Sequence, residues 1–131
     1  GAVDLCVVMF RDRRRGIRRA YQVGEILVEG EGESAKAKGN LLYRWKPSSD
    51  SIVSHSSSQR LFEELSRHTG LTQKDIRDDL SMKKRILEWM IKNRVNDVND
   101  VGKIMMDYYT DRDKVVSAVK KGLDRKKILG K

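Results

Sequence analysis

Six arginines lie within the nine positions of RDRRRGIRR, residues 11–19, and this is the densest group of side chains in the sequence that could bind an anion. Guanidinium groups recognise phosphate through paired hydrogen bonds, so the stretch could form a phosphate site. It could also contact an acidic patch on a protein partner, where charge governs orientation and encounter rate more than affinity. A third possibility is a turn that faces only water. Composition leaves these three interpretations open.

Residues that could catalyse a reaction or hold a metal ion are sparse. The sequence contains no phosphate-binding loop of the form G-x-x-x-x-G-K-[ST], and its Gly102-Lys103 pair is followed by Ile104 within a helical pattern. His55 and His68 are far apart in sequence, and a zinc site would need carboxylates to complete it. We therefore predict no catalytic residue and no metal site.

Two further groups receive structural interpretations. Cys6 is the single cysteine and lies in the apolar run DLCVVMF, so we expect it to pack in the core of a protein from a reducing compartment, the cytoplasm. Asp75, Asp78 and Asp79 fall in the first turns of a predicted helix, where carboxylates complement the positive end of the helix dipole. Because Asp75 and Asp79 share a face of the helix, they could also act as a catalytic pair, which is the less favoured alternative.

The positive charge is concentrated near the two ends of the sequence. The 131 residues carry a formal net charge of +9, and residues 1–20 together with residues 120–131 account for all of it. The intervening 21–119 are neutral. A nucleic-acid-binding domain usually spreads its cations over a face that follows phosphates, which this distribution does not resemble.

The first part of the chain has the pattern of β-strands. Residues 3–10 are mostly apolar, as in a strand covered on both faces, and RDRRRG supplies the turn to a second strand over 17–30. Residues 29–39 contain several glycines and are predicted to be a loop. LLYRW and SIVSH flank the turn KPSSD and predict a second hairpin. Because the sequence opens almost inside a strand of the buried type, we expect it to be a piece of a larger protein.

From residue 56 the apolar residues recur at helical spacing. Ser56 with Gln59 suggests a capping box, and Asp97 and Asp111 are predicted to begin later helices. We therefore predict an α+β fold: two antiparallel hairpins followed by three or four short helices, with a β-rich segment 1–55, a helical segment 56–122 and a basic tail 123–131 that is a candidate for disorder. The residues predicted to pack the helical part are Leu61, Phe62, Leu65, Leu87, Trp89, Met90, Ile104 and Tyr108.

Several segments, in order, resemble one family: the archaeal branch of the type II/IV secretion-superfamily ATPases, which includes the archaellum and archaeal pilus motors. The matching segments are VDLCVV, RRRGIRRAYQVGEI, LLYRWKPSSDSI, LFEELSRHTGLTQKDI, RILEWMIKN and VGKIMMDYYTD, and together they cover about residues 2 to 119. The resemblance implies the C-terminal end of such an ATPase, in which a hairpin completes the sheet of a RecA-like motor domain and a helical appendage follows.

The same resemblance implies partners and cofactors. The phosphate loop, the magnesium-binding acids and the catalytic glutamate would all lie upstream, so ATP and magnesium belong to the parent protein and this chain is predicted to be inactive alone. The partners would be identical subunits in a hexameric ring and a membrane-embedded platform, at the inner face of the cell membrane. Contacts with a subunit or a phosphate are expected from Arg13, Arg14, Arg15, Arg18 and Arg19, with Arg18 and Arg19 as the strongest candidates.

The alternative is a stand-alone nucleic-acid-binding module that uses the basic turn and the basic tail. The neutral middle of the chain and the order of the matching segments favour the ATPase interpretation, so we do not expect nucleic acid to be the partner.

Overall fold

A computed structural model describes residues 4–131, and it confirms an α+β chain in which an antiparallel sheet precedes the helices. The chain divides into two compact units, one ending at Gln73 and one from Lys74 to Lys131. The predicted start of the first strand, at residue 3, lies outside the described residues.

The four strands form one sheet in the order in which they occur in sequence. They are β1 (Leu5–Asp12), β2 (Ile17–Glu29), β3 (Lys36–Lys46) and β4 (Ser51–Ser54), each antiparallel to the next. The two predicted hairpins are joined because β2 also pairs with β3 along most of its length. Residues 36–39, predicted as loop, belong to β3: the long partner strand offers them backbone hydrogen bonds although they lack large apolar side chains.

Strand β1 is exposed, contrary to the prediction that both of its faces are covered. It lies at one edge of the sheet. Val7 and Met9 expose 55% and 65% of their surfaces, and Leu5 and Val8 are exposed as well. The residues that the structure describes in the first unit therefore leave an apolar edge strand open to solvent.

Helix α1 (Leu61–Thr69) completes the first unit and ends, as predicted, at Gly70, whose φ of 73° is in the left-handed region. The predicted capping box at Ser56 and Gln59 is wrong, because α1 begins at Leu61 and Arg60 at its N-cap makes no side-chain capping bond. A carboxylate from β2 accepts hydrogen bonds from the backbone N–H groups at the start of α1 instead. Leu65 is exposed, while Leu61 and Phe62 are half-buried.

Helix α2 (Gln73–Lys92) lies in the second unit from Lys74 onward, followed by α3 (Val98–Thr110), α4 (Arg112–Lys120) and the short α5 (Lys126–Leu129). The expected cap at Asp97 is confirmed, since its side chain accepts from the N–H groups of Asn99 and Asp100, whereas Asp111 precedes α4 without a side-chain capping bond. The buried residues of this unit's core are Ile86, Trp89, Met90, Val95, Ile104, Tyr108, Val115, Ala118, Val119 and Ile128.

Two expectations for this unit need correction. Leu87 is 52% exposed, because Ile86, Trp89 and Met90 form the buried stripe of α2 and a residue next to Ile86 is turned away from it. The tail, a candidate for disorder, forms α5 because Ile128 packs into the core. Within residues 4–131, no helix has the length and apolar character needed to cross a bilayer.

Candidate functional site

The arginine hairpin, residues 11–19, is shaped by an aspartate at its own turn. Asp12 Oδ1 accepts hydrogen bonds from the backbone N–H groups of Arg14 (2.9 Å) and Arg15 (3.3 Å), and Asp12 Oδ2 accepts from Arg15 Nε at 2.8 Å. The bond from the Arg15 side chain is the main reason that the pKa of Asp12 is lowered. Gly16 has a φ of 64° and lets the chain enter β2. The side chain of Arg15 therefore stabilises the turn itself.

Arg19 forms an ion pair with a second aspartate. Its Nε and Nη2 donate to the two oxygens of Asp50 at 2.6 and 2.7 Å, and its Nη1 donates to the carbonyl of Arg18. Asp50 lies in the turn between β3 and β4 and also accepts from Trp45 Nε1 at 2.9 Å. The bonds from Arg19 and then Trp45 hold the pKa of Asp50 well below its usual range. The pair ties that turn to the start of β2.

The other four arginines of the hairpin have no acidic partner among residues 4–131. Three of them, Arg11, Arg13 and Arg18, line an open concavity together with Gly16. Arg11 and Arg18 are direct cross-strand partners in the β1–β2 register, so their side chains leave the same face of the hairpin. The hairpin therefore gathers three unneutralised guanidinium groups around one opening.

The structure thus divides the predicted contact residues. Arg13 and Arg18 meet at the concavity, Arg14 does not line it, and Arg15 and Arg19 are engaged within the chain. Sequence reasoning missed Arg11. The signal was available in the length of the turn, since four residues between Asp12 and Ile17 place Arg11 opposite Arg18.

A buried carboxylate joins the sheet to α1 and was not predicted. Glu25 on β2 is 1% exposed and accepts hydrogen bonds from Asn40 Nδ2 and Ser58 Oγ, both at 2.8 Å. It also accepts from the backbone N–H groups at the start of α1, those of Gln59, Arg60 and Leu61. Burial alone would raise its pKa, but these bonds outweigh it and lower the pKa to about 2. A carboxylate in the apolar stretch VGEIL was the available signal.

One face of the sheet carries an open apolar groove. Its lining includes Cys6, Val8, Ile26 and Leu41, with Gly24 and Gly39 contributing no side chain. Cys6 is exposed, so the expectation that it packs in the core is wrong among residues 4–131.

A polar cluster in the second unit connects α2, α3 and α4. Asp79 pairs with Lys83 at 2.8 Å and with Arg112 at 3.5 Å, and it accepts a hydrogen bond from the hydroxyl of buried Tyr108. Asp79 was expected to complement the helix dipole, but it links helices because these partners surround it. Burial and the bond to Asp79 raise the pKa of Tyr108. Within residues 4–131, no three histidine, cysteine or acidic side chains come together in a group that could hold a metal ion.

Comparison with known proteins gives a distant likeness to an archaeal protein. No protein-family model matches the chain. The chain is 26% identical over 121 residues to the uncharacterized protein MJ0781 of the archaeon Methanocaldococcus jannaschii. The matched region is 91% of this chain but only 16% of that relative, so the chain spans about a sixth of the length of the curated relative it matches.

Proposed function

We propose that this chain is the non-catalytic C-terminal part of a hexameric secretion-superfamily ATPase of the archaellum or archaeal pilus type. In this role the sheet continues that of a RecA-like motor domain, and the helices form an appendage. The chain contributes contacts between subunits and couples the motor to the membrane apparatus that it drives.

The observation that carries the proposal is the exposed edge strand β1. Leu5, Val7, Val8 and Met9 are all at least 41% exposed, and the edge of a sheet offers unpaired backbone groups to a further strand. A strand of this composition is typical of the interior of a sheet that is covered on both faces. An adjoining motor sheet would satisfy both the backbone edge and the apolar side chains.

Two further observations support it. The six sequence segments that resemble the archaeal ATPases lie in order along the chain from β1 to the end of α3. The relative in Methanocaldococcus jannaschii is archaeal and far longer than this chain, as expected for a protein in which such a region is one part.

The remaining elements of the proposal follow from the family. ATP and magnesium bind the parent protein upstream of this chain. Identical subunits and a membrane-embedded platform are its partners, and the complex works in the cytoplasm, peripheral to the inner face of the cell membrane.

The reactivity of Cys6 tests whether β1 is covered in the native protein. In the 131-residue chain the thiol is exposed, so a maleimide should react nearly as fast in buffer as in urea. In the longer native polypeptide we expect Cys6 to react at least about tenfold more slowly until the protein is unfolded, because opening must precede labelling. Mass spectrometry of the labelled protein measures both rates.

A cysteine placed at Ser48, in the exposed turn between β3 and β4, serves as the matched control and should react quickly in both proteins. Equal reactivity of Cys6 in the two proteins would count against the proposal. An immunoblot of cell lysate that gives a single band near 15.1 kDa would reject it outright.

The activity of the longer polypeptide provides the second test. It should form hexamers by native mass spectrometry and hydrolyse ATP in a magnesium-dependent reaction, and the 131-residue chain should not hydrolyse ATP. A longer polypeptide without ATPase activity would show that the family has been assigned wrongly.

The unneutralised arginines of the hairpin favour a second candidate, a nucleic-acid-binding module. Its signature is an affinity for single-stranded RNA or DNA that falls steeply with salt, with a slope set by the number of phosphates contacted. Salt-dependent titration of the 131-residue chain separates it from the ATPase proposal.

A further inference from the structure

The concavity of the arginine hairpin is lined by three arginines that have no acidic partner among residues 4–131. Arg11, Arg13 and Arg18 line it around Gly16, which leaves the approach free of a side chain. Two other arginines of the hairpin, Arg15 and Arg19, each have an aspartate at hydrogen-bond distance. The sequence thus supplies acids for two arginines of this hairpin and leaves these three without one.

The fold fixes the backbone positions of two of these arginines and the shape of the turn between them. The β1–β2 pairing is regular from Met9 to the turn and places Arg11 opposite Arg18, and Asp12 holds the turn through two backbone bonds. Directly opposed like charges disfavour the hairpin unless a bound anion bridges them. A ligand that carries several negative charges would neutralise the opposed charges and accept paired hydrogen bonds from the guanidinium groups.

We propose that Arg11, Arg13 and Arg18 form a binding site for a polyphosphate anion, a chain of two or three linked phosphoryl groups. Three guanidinium groups carry a charge of +3. One phosphomonoester carries only about −1.5 to −2 at neutral pH, so one phosphate leaves the site under-neutralised and linked phosphates match it. Phosphate also accepts the paired hydrogen bonds that the planar guanidinium group offers. This inference does not depend on the proposed function, since it concerns only the hairpin.

Calorimetric titration of the 131-residue chain with inorganic tripolyphosphate at low ionic strength tests the site. The wild-type chain should bind, and the affinity should fall as salt is added. The double variant Arg11→Ala/Arg18→Ala should bind at least about tenfold more weakly, because it loses two charge-assisted contacts. Arg13→Lys should also weaken binding, since lysine keeps the charge but loses the paired geometry.

The matched control is Arg85→Ala/Lys92→Ala, which removes the same charge from two exposed side chains of α2, outside the hairpin. It should retain wild-type affinity within about twofold, because it alters only the general field of the protein. Equal losses in the two double variants would mean non-specific attraction and would overturn the proposal. Amide exchange of both variants verifies that the hairpin remains folded.

Three other ligands identify the source of the phosphate. Binding of ATP with the same dependence on Arg11 and Arg18 supports the proposal and assigns the site to a nucleotide. Binding to phosphatidylglycerol vesicles without binding to tripolyphosphate would overturn it in favour of a membrane surface. Binding to a single-stranded oligonucleotide without binding to tripolyphosphate would overturn it in favour of nucleic acid.

Discussion

Replacing Glu25 by glutamine should destabilise the first unit more than any conservative change on its surface. Glu25 is 1% exposed and accepts hydrogen bonds from five groups, three of which are backbone N–H groups at the start of α1. An amide offers a single acceptor oxygen, and its NH₂ group would face donors. Some of these buried donors would then lack a partner, at a cost of about 1–3 kcal/mol each.

The pKa of Glu25 gives an independent magnitude. Its ordinary value of 4.5 falls to about 2 in the folded protein. This difference corresponds to about 3 kcal/mol of stabilisation at neutral pH. Because the folded-state pKa is the lower one, the contribution is complete above pH 4.5 and is lost as the pH falls through about 2.

Urea unfolding followed by Trp45 fluorescence provides the assay. Trp45 lies in the first unit and Trp89 in the second, so a Trp89→Phe background makes the signal report the sheet. We expect Glu25→Gln to lower the free energy of unfolding of this unit by about 3 kcal/mol at neutral pH. Its difference from wild type should shrink between pH 4.5 and about 2.

The control is Glu29→Gln on the same strand, where an exposed pair with Lys38 at 3.2 Å should contribute less than about 1 kcal/mol. The reasoning fails if Glu25→Gln costs less than about 1 kcal/mol at neutral pH, or if its difference from wild type does not change down to pH 2. Faster amide exchange at residues 59–61 in this variant would locate the effect at the start of α1.

Three further substitutions test other contacts. Asp97→Ala should lower the free energy of unfolding of the second unit by about 1 kcal/mol in urea, because it removes two capping bonds. Asp111→Ala removes no capping bond and should cost less than half as much, so equal losses would contradict this reasoning. Tyr108→Phe should cost about 1–2 kcal/mol by the same assay, since Asp79 loses a buried donor, and a neutral effect would mean that the hydroxyl contributes nothing. Gly16→Ala should lower the free energy of unfolding of the first unit by about 1 kcal/mol, because alanine is strained at this positive φ even though no atom would clash with its methyl group. Unchanged stability would show that the turn relaxes freely.

The sequence predicted most of the secondary structure because local patterns determine it. The turn at Gly16, the stop at Gly70 and the cap at Asp97 each depend on residues a few positions away, and the structure has all three. The extension of β3 over residues 36–39 was missed because a partner strand stabilises those residues, and their own side chains give no sign of it.

The candidate site was predictable only in part, for a related reason. The density of arginines indicated an anion-binding turn, but which arginines remain available depends on Asp50, more than thirty residues away. The capping of α1 by Glu25 depends on a sequence separation of similar length. Long-range polar pairing of this kind leaves no periodic signal in one sequence.

The exposed strand β1 also has a consequence for the lifetime of the chain in a cell. Chaperones and proteases recognise open apolar strands, which folded proteins normally conceal. When the chain is expressed without anything to cover β1, it should be degraded rapidly even though its helical core is well packed. In the proposed ATPase the cover belongs to the same polypeptide, so truncated copies would be removed and copies with an intact motor domain would accumulate.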